Sequence, residues 1–212
     1  MKTFKEILDQ VYGQSELAET ETTFADYAGE KILTIQLAHA EIWGEADYSF
    51  RDRTSTFVTV AAQSAYDMPN GKIKKAGLKA STATRPMTET TNVDSLPVSS
   101  GLPYYYFLEN QKLNLYPTPD AAYTITTKTF TNNKAKSSGG TEQDTLVLET
   151  DVLNIPADIE SLYLAALGYK TIILRIADVN DELYQHALNN YSIALKLLKI
   201  ESSKSSTAPR FT

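Results

Sequence analysis

Cysteine is absent from all 212 residues. Disulfides, thiolate nucleophiles and cysteine-ligated metals are therefore excluded, and the chain suits synthesis and assembly in a reducing cytosol. No stretch approaches eighteen consecutive apolar residues, so no transmembrane helix is expected. The first dozen residues carry Glu6 and Asp9 and lack an apolar central segment, unlike a secretory signal. Positive charge is in deficit: 20 Lys and Arg stand against 26 Asp and Glu, a net charge of -6. Proteins that grip nucleic acid show a basic domain or stripe, so tight duplex binding is disfavoured. An acidic surface that surrounds DNA without holding it stays open.

The residues that carry chemistry are also scarce. The two histidines, His39 and His186, both fall in the middle of helical patterns. Glu41 lies two positions after the first and Glu182 four before the second, and neither pairing makes the two-histidine pattern of a zinc helix. A metal site needs three or four convergent ligands, so both are expected to be structural. There is no nucleophile elbow and no phosphate loop. Asn70-Gly71-Lys72 is better understood as a hairpin turn. Acidic pairs such as Glu6/Asp9, Glu149/Asp151 and Asp178/Asp181 suit caps or solvated surface. The expectation is a protein that is not an enzyme, with no metal and no cofactor.

What the sequence has is a segmented pattern. Phe4, Ile7, Leu8 and Val11 recur at helical spacing and predict a first helix over 3–12, ended by Gly13. A second helix is predicted over 24–45, with Thr23 and Asp26 as a capping box and Phe24, Ala28, Ile32, Ile35, Ala38 and Ile42 as its stripe. Strand signals then run from 54–60 through 65–69, a turn at 70–71, 72–80 and 84–88. The densest follow in 101–130, where 104–108, 112–116 and 123–130 are rich in aromatic and β-branched residues and Leu113, Leu115 and Tyr123/Ile125 alternate with polar neighbours; together they predict a three-stranded antiparallel meander. Residues 131–144 hold few apolar side chains and Gly139-Gly140, so an exposed mobile loop is expected; 145–148 reads as a last strand. Two helices close the chain. One starts at Ile155-Pro156 and runs to about 177, and the other spans 181–200.

Helices, then strands, then helices indicate α+β segregation. The expected architecture is a helical bundle from 1–50 and 150–200. An antiparallel β-sandwich or barrel-like domain is inserted at 51–149, and 201–212 forms a flexible Ser/Thr-rich tail.

Three groups stand out as interaction candidates. Lys72, Lys74 and Lys75 (with Lys79) form the one local basic cluster: either lysines guarding an edge strand, or a contact for an acidic partner or DNA. Tyr104-Tyr105-Tyr106-Phe107 is apolar on both strand faces, which implies cover by core or by another subunit. Tyr104 and Tyr106 are thus candidates for a subunit interface. The single tryptophan, Trp43, suits a core or junction anchor and joins the interface candidates.

Gly101-Leu102-Pro103-Tyr104-Tyr105-Tyr106, the turn at Asn110, Lys112-Leu113-Asn114-Leu115-Tyr116-Pro117-Thr118-Pro119-Asp120 and Tyr123-Thr124-Ile125 together form a pattern. It resembles the P-x-Y-Y … Y-P-x-P-D … y-t-i segment of head-to-tail adaptor (connector, neck ring) proteins of tailed bacteriophages, mainly short-tailed ones. Phe57-Val58-Thr59-Val60 with Gln63-Ser64-Ala65-Tyr66-Asp67-Met68-Pro69, Trp43 near the end of its helix, and Ile155-Pro156 fit the same order across 24–200. The resemblance implies a structural virion protein at the head-tail junction, assembled in the host cytoplasm. It implies a ring of itself, commonly twelve subunits, under the portal protein. DNA would pass through the lumen without sequence-specific binding, and tail or nozzle proteins would lie beyond. It also implies that the C-terminal tail docks on the portal, making Lys204, Pro209, Arg210 and Phe211 the portal-binding candidates. The competing reading is a carbohydrate- or ligand-binding β module with helical extensions, in which the tyrosines stack sugar.

Overall fold

A computed structural model describes residues 1–14, 23–27, 29–67, 72–80, 83–91, 97–176 and 179–204. It is mixed α+β, with helices toward both ends of the chain and sheets between. The chain divides into two compact units. One is formed by the described parts of Met1–Phe50 and Asn133–Ala208, the other by those of Arg51–Asn132. Residues 133–149, assigned on sequence to the inserted domain, fall in the first unit.

In the first unit, α1 (Phe4–Gln14), α2 (Gly29–Gly44), α3 (Glu160–Arg175) and α4 (Glu182–Lys204) supply the helices. The third packs against each of the others. Phe4, Ile7 and Leu8 of α1, Ile35 and Ile42 of α2, and Tyr163, Leu167 and Leu198 of α3 and α4 are buried in one core. A capping box opens α1. Thr3 Oγ1 accepts from the Glu6 backbone N–H at 3.3 Å, and the Glu6 carboxylate accepts from Thr3 N–H at 2.8 Å, which satisfies two donors reciprocally. That backbone bond, with the Thr3 hydroxyl, holds the Glu6 carboxyl below its ordinary range.

Several boundaries differ from expectation. The first helix runs past Gly13 to Gln14. A 3₁₀ turn at Phe24–Asp26 stands apart from α2. Residues 201–204, expected in the tail, continue α4, where Ser202 is buried and its carbonyl accepts a hydrogen bond from Ser49 Oγ. Pro156 precedes a 3₁₀ turn, Ala157–Ile159, which leads into α3.

The second unit contains β1 (Asp52–Val58), β2 (Ala65–Asp67), β3 (Lys72–Ala80), β4 (Ala83–Pro86), β5 (Thr88–Glu89), β6 (Tyr105–Glu109), β7 (Lys112–Tyr116) and β8 (Thr124–Phe130). They form two four-stranded sheets, ordered β1-β8-β3-β4 and β2-β7-β6-β5. Pairing is antiparallel except between β5 and β6. Ile125 and Phe57 from the first sheet meet Tyr66, Tyr106, Leu113 and Leu115 from the second in one small core. The Phe57 and Tyr66 rings lie 5.0 Å apart across it.

The three-stranded meander is therefore a two-stranded hairpin. In it, β6 and β7 pair through a tight turn at Asn110 and Gln111, both at positive φ of 52° and 60°. That geometry matches the twist of the strands it joins. The third strand leaves for the other sheet, with β1 on one edge and β3 on the other. The reason lies in 117–123. Pro117 and Pro119 offer no N–H for a continuing ladder, and Thr118 bonds instead to Ser99 and Gly101.

The 131–144 stretch is not a bare loop. There β9 (Ala135–Lys136) and β10 (Glu142–Gln143) pair around the glycines, and β11 (Val152–Leu153) pairs with β9 on its other side. Thr131 and Ala135 are buried. Residues 145–148 form no strand; Leu146 is buried while Val147 and Leu148 are exposed. Asp151 fastens this segment. Its Oδ2 accepts from Val147 N–H at 2.7 Å, Leu148 N–H at 2.8 Å and the Gln143 amide at 2.5 Å. Its carbonyl accepts from Phe4 N–H at 2.7 Å, one of the orphan donors in the first turn of α1.

Candidate functional site

His39 sits on α2 and is buried. Its Nε2 is 3.0 Å from the Lys134 carbonyl, and its Nδ1 is 2.7 Å from the Tyr163 hydroxyl. A carbonyl only accepts, so Nε2 carries the hydrogen and Nδ1 accepts from Tyr163. Burial drives the imidazole down to about 4, partly opposed by the bond to Lys134. It is neutral at physiological pH and ties α2, α3 and the start of β9 together. His186 is exposed on α4, with the Asn190 amide 2.9 Å from its Nε2. Among the described residues no three His, Asp or Glu side chains are arranged to hold a metal. A pocket between α1 and α3, lined by Gln10, Val11, Leu164, Gly168 and Tyr169, has a volume of about 190 Å³. Small-molecule sites run to roughly 300–1,000 Å³. No described helix is long and apolar enough to cross a membrane.

The interaction candidates separate by exposure. Trp43 is 3% exposed, with its indole edge-on to Phe50 and His39 at 5.5 and 5.8 Å. Tyr106 is 4% exposed on the inner face of β6. Both give their area to the core of their own unit and leave little for another subunit. Tyr104, just before β6, is 42% exposed. Its ring packs at 4.7 Å on Tyr105 and 6.1 Å on Tyr116, and Tyr105 lies opposite Tyr116 in the ladder. Tyr104 is thus the accessible end of a three-tyrosine cluster.

Lys72, Lys74 and Lys75 lie in the first half of β3, of which the backbone alone is described. There β3 pairs with β8, while β4 joins only at Gly77–Ala80. The lysine-bearing half is therefore an edge among the described residues. A register shift falls between Ile73 and Lys75, and Lys75 stands opposite Lys128. Lys204 ends α4. Pro209, Arg210 and Phe211 lie outside the described residues, as do the Asn70-Gly71 turn and residues 92–96 of the loop before Gly101.

One further surface carries no motif. Leu33 and Leu37 on α2, and Ile193, Leu197 and Ile200 on α4, are all about half exposed. Their spacing is the signal that reveals them, as a second apolar period on helices that already have a buried one.

Compared with known proteins, the chain matches the sequence model of the SU10 adaptor protein family over residues 3–210, which takes in both compact units. No curated protein matches it.

Proposed function

The chain belongs to the SU10 adaptor protein family, and from that premise we propose that it forms a ring joining the capsid portal to the tail, with a central channel for DNA. It is a bacteriophage adaptor and a structural component of the virion. The observation that carries the proposal is the family match across nearly the whole chain, helical and β units together. The ring is of itself, of about twelve subunits as in the phage neck proteins the sequence resembles. The net charge of -6 favours DNA that slides through over DNA that is held. Tyr104 and the edge at Lys72, Lys74 and Lys75 are the contacts assigned to neighbouring subunits or tail components. The residues after α4, including Pro209, Arg210 and Phe211, are assigned to the portal, with Lys204 at their root. An aromatic beside a cation is a common interface anchor.

The test mixes the purified chain with its portal and images the product by electron microscopy, beside a truncation ending at Lys204. That end point preserves Ser202 and its bond to Ser49. The expected result is a ring on the portal for the full chain, and a folded protein that no longer binds for the truncation. Normal portal binding by the truncated protein would overturn the docking role, and a single copy on the portal would overturn the ring.

A further inference from the structure

At 100° per residue, Leu33, Leu37 and Ala40 fall in one narrow stripe of α2. That stripe lies opposite Ile35, Ala38 and Ile42, which face the core. Leu33 and Leu37 are 54% and 49% exposed. On α4, Ile193, Leu197 and Ile200 follow i, i+4, i+7 and are 49%, 46% and 51% exposed. They lie on a different face from Ala187, Tyr191, Ala194 and Leu198, which are buried. Single exposed apolar residues are ordinary. Two ordered stripes, each turned away from the core its own helix already serves, need another explanation. They have the form of faces for further helices.

Two observations identify the occupant. First, the unit carries two distinct stripes. A two-fold dimer uses one self-complementary patch, whereas a head-to-tail contact that closes a ring needs two different patches on every subunit. Second, the margins offer a charge match, with acids along one side of the α2 stripe and a lysine along one side of the α4 stripe. Exposed Glu30 and Glu41 border the α2 stripe, although Glu41 also pairs with Lys170. Exposed Lys196 borders one side of the α4 stripe, with Lys199 farther round the helix, and the partly exposed Glu201 borders the other side. Charge matched in this way sets orientation and suppresses like-with-like pairing.

We propose that the outer stripe of α2 in one copy docks against the outer stripe of α4 in the next copy, and that this pairing builds the ring. The inference rests on the ring-forming reading above and names its contact surface.

The cysteine-free chain allows a direct test. Leu37→Cys and Leu197→Cys are made singly and together in the full chain and oxidised with copper–phenanthroline. The mass of the wild type is measured in parallel by native mass spectrometry. The double variant is expected to give a disulfide-linked ladder of dimers, trimers and higher species. The two singles, mixed, should give only a dimer containing one of each. Leu188→Cys, on another side of α4, should not cross-link to Leu37→Cys. Self-linked dimers of either single as the main product would overturn the proposal in favour of like-with-like contact. An oligomeric wild type with no link between positions 37 and 197 would overturn it while leaving the ring intact. A wild type that stays monomeric, with no cross-link, would overturn both.

Discussion

Acidification from pH 7.5 to 5 is expected to remove about 2 kcal/mol from the stability of the helical unit, through His39. In the unfolded chain this histidine titrates near 6.5; in the folded protein burial holds it neutral down to about 4. Between those values the unfolded state binds more protons, so stability is complete above pH 6.5 and is lost as pH falls toward 4. At about 1.4 kcal/mol per pH unit the gap amounts to about 3 kcal/mol. About 2 of that is gone by pH 5, where ordinary carboxylates are still ionised. Trp43 is the natural reporter: it is the only tryptophan, is buried, and sits 5.8 Å from the imidazole. Urea unfolding followed by its fluorescence at the two pH values measures the loss. His39→Phe keeps an aromatic ring without a titrating group. It deprives the Tyr163 hydroxyl of its acceptor and the Lys134 carbonyl of its donor. The variant should therefore start about 1–3 kcal/mol less stable at pH 7.5 and change little by pH 5. If it lost as much stability as the wild type over that range, the titrating group would not be His39.

Two further substitutions probe local devices of the fold. Asp151→Asn leaves a neutral oxygen where Val147, Leu148 and Gln143 all donate. It should lower stability by about 1–3 kcal/mol, read by the same urea titration; an unchanged midpoint would mean the carboxylate does not hold the segment. Gln111→Gly relieves a non-glycine residue at φ 60° in the β6–β7 turn. It should stabilise the β unit by about 1 kcal/mol, seen as a higher midpoint in thermal unfolding by circular dichroism, whereas Gln111→Val should lower it.

The sequence discloses the elements more readily than their partners. The β6–β7 hairpin is legible because its strands are adjacent and β7 alternates cleanly, so Leu113 and Leu115 can be assigned to one face, whereas the all-apolar start of β6 leaves the side of Tyr106 open. The destination of β8 is not legible. Its partners β1 and β3 lie far back in the chain, and the strand period says which residues share a face but not which sheet receives them. Its composition also misleads: Thr126, Thr127 and Thr129 look solvated but are buried, on a strand interior to its sheet. The 131–144 stretch fails for a related reason. What it gives the fold is largely backbone, the Lys134 carbonyl to His39 and the Asn133 carbonyl to the Asn154 amide, and backbone groups leave no mark in composition. The capping box at Thr3 and Glu6 was written in the spacing T-x-x-E, yet a second Thr with an acid three residues on, at Thr23 and Asp26, competes for the same rule.

For the candidate site the obstacle is different in kind. Catalytic sites announce themselves by residue type, and a chain without cysteine and with two structurally occupied or exposed histidines offers little to find. An adaptor acts through surfaces, which are made of the same leucines and isoleucines as its core. On α2, Leu37 lies beside the buried Ala38, and periodicity alone can merge the two. On α4, Ile193, Leu197 and Ile200 have the same spacing as the residues that pack inward. Only the placement of α3 decides which stripe is spent on the unit's own core and which remains. The aromatics make the same point. Trp43, Tyr104 and Tyr106 are equivalent as interface candidates by type, yet Tyr104 alone keeps a large exposed area. The surfaces left over once the core is accounted for are where subunit contact should be sought, and in this chain they include the outer stripes of α2 and α4.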